Sequence, residues 1–113
     1  MANTFKIDTK SSVSNSGTSN SNATVVTAGA AATLVILSIL ISNKTAASVQ
    51  VDVFVVKNSG DSVFLVKNAP VPGGSSLEII SGSKIILESN DVLRISSNTA
   101  SALDAAVSYL EQT

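Results

Sequence analysis

The residues of this chain that could do chemistry are few and scattered. Glu88 and Asp91 flank a Ser89-Asn90 turn and, with the Asn90 carbonyl, offer oxygens to a cation. A calcium loop needs more oxygen ligands at short spacing, and no EF-hand run is present. Ser81-Gly82-Ser83-Lys84 matches S-x-x-K, in which a lysine activates a serine. That motif opens a helix, whereas these residues stand where a hairpin turn is expected, without the companion motifs. Gly73-Gly74 is followed by no Gly-Lys-Ser/Thr and no strand-to-helix unit, so it predicts a turn rather than a phosphate cradle. Asn22-Ala23-Thr24 and Asn43-Lys44-Thr45 are glycosylation sequons, frequent by chance in an Asn- and Thr-rich chain. Histidine and cysteine are both absent. That removes the commonest general base, the commonest transition-metal ligand, thiolate sites and disulfides. The expectation is a protein that is not an enzyme, with no cofactor, no metal and no catalytic residues.

The elements that would position any site are β-strands. The 113 residues suffice for one domain, with 44% hydrophobic, 4% aromatic and 13% charged residues and a net charge of −1. Without a cationic cluster or an aromatic platform, nucleic acid is not an expected partner. Ser, Asn and Thr make up 38 of the 113 residues and favour turns, caps and sheet surfaces over helix interiors. A net charge near zero offers little self-repulsion, so association is unopposed at long range.

Residues 1–22 read as an extended, Ser/Asn-rich N-terminal arm and residues 23–113 as the folded domain. Within the arm, Thr4-Phe5-Lys6-Ile7 alternates and could add a strand to something. Residues 8–22 hold Val13 as their one large apolar side chain, too little to offset ordering entropy of roughly 1–2 kcal/mol per residue. Residues 24–42 carry no charge and invite comparison with a membrane span. Their strongly apolar part is shorter than the roughly 20 residues a span requires, and the β reading is preferred. Strands are expected at 24–27, 33–42, 48–56, 62–67, 76–80, 84–88, 92–96 and 103–110, separated by Gly, Pro, Asn, Asp and Ser turns. The alternative for 101–111 is a helix. Seven to eight strands at this spacing predict an all-β, antiparallel β-sandwich or jelly-roll-like domain.

Strict alternation through 33–42 puts Val35, Leu37, Ile39 and Ile41 on one face and Leu34, Ile36, Ser38, Leu40 and Ser42 on the other. Apolar residues thus recur on both faces of several strands, and a sandwich buries only one face of each sheet. The expected interface comprises Leu34, Ile36, Leu40, Phe54, Val56, Phe64 and Val66, since uncovered apolar faces mark contacts. To these are added Phe5 and Ile7 of the arm, alternate side chains that would fill a neighbour's pockets if the arm adds a strand to it. A homo-oligomer, or a component docked on a larger assembly, is the implied state.

One stretch carries a family resemblance. TVVTAGAAATLVILSILISN, then TAASVQVDVFVV, then FLVKNAPVPGGSSLEIISGSKIILESNDVLRISS and a closing ALDAAVSYLE resemble the small β-sandwich virion proteins of tailed bacteriophages, particularly of marine and cyanobacterial hosts. The segment from Asn68 to Ile95 is the most specific part, and the arm lies outside it. The resemblance implies a virion structural protein present in many copies, as capsid decoration or cement or as a neck or tail accessory. Its partners would be other virion proteins and copies of itself. The readings set against this are a host-receptor or carbohydrate-binding module and a small membrane protein spanning 24–42.

Overall fold

The computed structural model describes residues 2–13, 23–80, 84–99 and 101–113. Apolar–polar alternation in the sequence becomes nine strands among these residues. They are β1 (Asn3–Lys10), β2 (Thr24–Thr27), β3 (Thr33–Asn43), β4 (Val49–Val56), β5 (Ser62–Val71), β6 (Ser76–Glu78), β7 (Ile85–Leu87), β8 (Val92–Ser97) and β9 (Leu103–Gln112). The Ala- and Leu-rich C-terminal stretch is strand rather than helix, as its β-branched and aromatic residues Val107 and Tyr109 favour.

Two antiparallel sheets pack face to face, so the expected all-β sandwich is borne out. One sheet runs β1-β9-β3-β6, with β7 also paired to β3; the other runs β2-β8-β4-β5. With β6 and β7 taken as two halves of one interrupted strand, the chain crosses between sheets at every connection except the β4–β5 hairpin, the order of a jelly roll. Leu34, Ile36, Ile39, Ile41, Leu87, Leu103 and Val107 of the first sheet meet Val51, Val53, Leu93 and Ile95 of the second in one core. Burial of an aliphatic side chain of this kind contributes roughly 1.5–3 kcal/mol.

The face assignment of β3 differs from the sequence expectation. A bulge lies between Ile36 and Ser38. A bulge inserts one extra residue and so reverses the parity of everything beyond it. Leu34 and Ile36 point inward before it, and Ile39, Ile41 and Asn43 point inward after it. Val35, Leu40 and Ser42 therefore take the outside.

Residues 3–13 are also not a free arm. β1 pairs with β9 in unbroken register from Asn3 opposite Gln112 to Lys10 opposite Ala105. Val13 is wholly buried in the core, and its N–H donates to the Leu103 carbonyl at 2.7 Å. The remainder of the expected arm, 14–22, lies outside the described residues.

Polar side chains tie the corners. Asn43 is buried, and its amide donates to the carbonyls of Ala47 (2.7 Å) and Val71 (2.8 Å). Its Oδ1 accepts from the Thr45 N–H and hydroxyl, which saturates it. A Cβ on Gly73 would run into the Ala46 carbonyl, so only glycine lets these two loops close. β5 extends further than expected, through Pro70. Gln50, opposite Pro70, directs its N–H and C=O to Asn98 instead, so the ladder asks no hydrogen bond of the proline.

Candidate functional site

The acidic turn singled out from sequence is a structural latch. Asp91 is buried; its Oδ1 accepts from the Asn58 N–H (2.9 Å), and its Oδ2 accepts from the Glu88 N–H (2.9 Å) and from Lys57 Nζ (2.6 Å). Lys57 also reaches Glu88 at 2.9 Å. Burial pushes the Asp91 carboxyl up, but Lys57 and the two backbone donors outweigh it and hold it below the usual carboxylate range. The cation here is thus an ammonium joining the β4–β5 turn to the β7–β8 turn. Among the described residues no group of three acidic side chains gathers around a common point. Ser81, Gly82 and Ser83 lie outside the described residues. The Asn43 sequon is unusable in the fold, because its amide nitrogen is already spent inside the protein.

What the structure assembles instead is a surface. Directly opposed residues of an antiparallel pair share a face. Phe5 stands opposite Leu110, Leu110 opposite Val35, and Val35 opposite Ile86, which makes an apolar row across β1, β9, β3 and β7. The neighbouring residues Tyr109, Leu34, Ile36 and Leu87 are buried inward, so this row faces out. Phe5 is 77% exposed, Ile86 49%, Ile7 61% and Leu40 39%. Ile7 lies on the same face opposite Ser108, and Leu40 opposite Ala106. The strand residues put two carboxylates on this face, Glu78 opposite Leu40 and Asp104 opposite Ser42. The Ser12 N–H (2.8 Å) and then Lys44 (3.0 Å) hold Asp104 below its usual pKa. Beside it a groove of about 260 Å³ is lined by Thr9, Lys10, Ser11, Leu40, Ser42, Asp104, Ala105 and Ala106.

The nine expected interface residues divide accordingly. Phe5, Ile7 and Leu40 come together on the outer face of the five-stranded sheet. Leu34 and Ile36 do not: the β3 bulge turns them into the core, where neither is exposed. Phe54 is also fully buried, its ring tilted against Phe64 at 5.2 Å between centroids. Phe64 in turn lies beneath the Lys67 ammonium, 4.9 Å from the ring centroid. Val56 is half-buried, and Val66 packs partly against the core. Val35, Ile86 and Leu110 escaped the sequence reading. Ile86 sits in the middle of Ile85-Ile86-Leu87, where a run of three aliphatics gives no alternation to read.

β1 carries much of this face yet is anchored by few side chains. Lys6 bridges Glu111 at 2.9 Å, and the Tyr109 hydroxyl donates to Asp8 at 3.0 Å. Burial, and then that hydrogen bond, push the Tyr109 pKa up to about 12. Residues 24–42, weighed as a membrane span, are β2 and β3 and the turn between them. No described helix is long and apolar enough to cross a membrane. The chain matches no protein-family model and no curated protein sequence.

Proposed function

We propose that this chain is a non-enzymatic structural component of a phage particle, docked in many copies through the outer face of its five-stranded sheet. The observation that carries the reading is the outward-facing row Phe5, Leu110, Val35 and Ile86, exposed at its two ends and half-buried at Leu110 and Val35, continued by the exposed Ile7 and Leu40. An apolar face suits an apolar partner surface, and Glu78 opposite Leu40 suits a basic group at its margin, Asp104 being already paired with Lys44. Repetition on a lattice would turn a modest single contact into avidity. Jelly rolls recur in viral capsids, which supports the reading by analogy of fold alone. Capsid decoration or cement, neck and tail accessory roles all fit such a face. The carbohydrate-binding alternative has one well-exposed ring on this face, Phe5, and no second aromatic beside it, because Tyr109 and Phe54 are buried and Phe64 belongs to the other sheet.

The test is quantitative peptide mass spectrometry of purified particles of the phage whose genome carries the coding sequence. The wild-type chain is expected in many copies per particle, and Ile86→Glu with Leu40→Glu is expected to be lost from particles while its β-sheet circular dichroism is kept. A coding sequence outside any phage genome, absence from the particles, or full retention of the double variant overturns the proposal.

A further inference from the structure

We infer that β1 is a self-pairing edge: two copies of the chain join β1 to β1 about a two-fold axis at Ile7, fusing their five-stranded sheets into one. This contact goes beyond the docking reading and does not depend on it, since it uses the strand edge rather than the sheet face.

The first ground is the edge itself. Ala2 and Thr113 exchange both of their main-chain hydrogen bonds, each at 3.0 Å. In an antiparallel ladder such pairs alternate, so Thr4, Lys6, Asp8 and Lys10 direct their N–H and C=O groups to β9. Asn3, Phe5, Ile7 and Thr9 direct theirs to the opposite edge, along which no described strand lies. The other edges are blunted. β2, β6 and β7 are short, β2 is irregular, and β5 carries register shifts and Pro70. β1 alone among the described edge strands is long and unbroken in register, the type of edge that recruits another strand.

The second ground is charge. A two-fold axis perpendicular to the sheet keeps the outer face outside and pairs odd residues with odd residues. Centred on Ile7, it places Lys6 opposite Asp8 of the second copy and Asp8 opposite its Lys6, with residues 4–10 overlapping. Sliding to a centre at Lys6 sets Lys6 against Lys6. A centre at Asp8 sets Asp8 against Asp8. A centre at Thr9 pairs Asp8 with Lys10 but overlaps only residues 8–10. A centre at Phe5 opposes Lys6 to Thr4, forms no ion pair and overlaps only residues 3–7. Opposed unlike charges stabilise cross-strand pairs and like charges oppose them, so of these registers the Ile7 centre combines two ion pairs, no like-charge pair and the longest overlap. In that register Ile7 meets Ile7 on the outer face, with Phe5 beside it opposite Thr9. The two apolar faces then become continuous across the seam.

Ile7→Pro tests the edge, because the lost N–H belongs to the open side and the β9 ladder does not use it. Sedimentation equilibrium is expected to give twice the chain mass for the wild type and the single mass for Ile7→Pro, both with the same circular dichroism. Lys6→Glu and Asp8→Lys test the register. Each alone sets like charges opposite and is expected to weaken self-association by roughly tenfold or more. Mixed together they restore both unlike pairs, and native mass spectrometry is expected to show the heterodimer dominating. A wild type that stays monomeric at high concentration, an Ile7→Pro dimer of undiminished strength, or a mixture without heterodimer preference overturns the inference. Particle docking by a monomeric Ile7→Pro chain would leave the proposed function standing, and a dimer that fails to dock would leave this one.

Discussion

At the scale of single residues, Asp91, which the sequence offered as a cation ligand, holds the fold together. Asp91 satisfies two backbone donors and Lys57 at once from a buried position. Asp91→Ala is expected to destabilise the domain by roughly 2–4 kcal/mol, measured by urea unfolding, because buried donors lose their acceptor. The carboxyl is held below its unfolded value, so its contribution is complete above roughly pH 3.9 and fades as pH falls below that. Asp91→Asn should therefore flatten the acid limb of the stability curve. Tyr109 has the opposite sign. Its folded pKa is pushed up to about 12 against roughly 10 unfolded, so its contribution is complete below pH 10 and is lost as pH rises between the two. Because the chain has one tyrosine, ultraviolet difference titration reads this directly, and Asp8→Ala should bring the transition to lower pH.

At the scale of elements, turns and bulges decide more than strands do. Gly73 lies against the Ala46 carbonyl, and Gly73→Ala should lower stability by roughly 1–3 kcal/mol in a thermal melt. An unchanged melting temperature would mean the two loops can part without cost. In β3 the bulge after Ile36 sets which aliphatics are core. Nothing in Leu34-Val35-Ile36-Leu37-Ser38-Ile39-Leu40 marks it, because apolar residues occupy both parities and either frame buries hydrocarbon. By contrast, Val49 to Val56 was legible. Gln50 and Asp52 interrupt the valines at alternate positions, and the inward residues are Val49, Val51, Val53 and Val55 as that alternation requires.

For the whole molecule, the N-terminal strand is the element whose removal is expected to separate folding from the proposed self-association. No side chain of β1 belongs to the core, whereas Val13 just beyond it does. A chain lacking residues 2–10 is expected to keep its β-sheet spectrum and to lose self-association. One lacking residues 2–22 should also lose stability, by roughly 1.5–3 kcal/mol for Val13 alone. Equal stability of the two truncations would show that Val13 contributes nothing to the core.

Composition and period-2 alternation by themselves determined the β class, most strand positions and the absence of catalytic residue types such as histidine and cysteine, because backbone geometry and side-chain chemistry are local properties. They also marked Leu40 as an apolar side chain a sandwich would leave uncovered, and Phe5 and Ile7 as contact side chains of an arm, whereas the fold makes those two part of an edge strand on the same outer face as Leu40. Only the tertiary structure decided that Leu34 and Ile36 go inside and that Val35, Ile86 and Leu110 line up with Phe5. Facing depends on bulges and on cross-strand register between segments far apart in the chain, and no local pattern encodes which strands become neighbours.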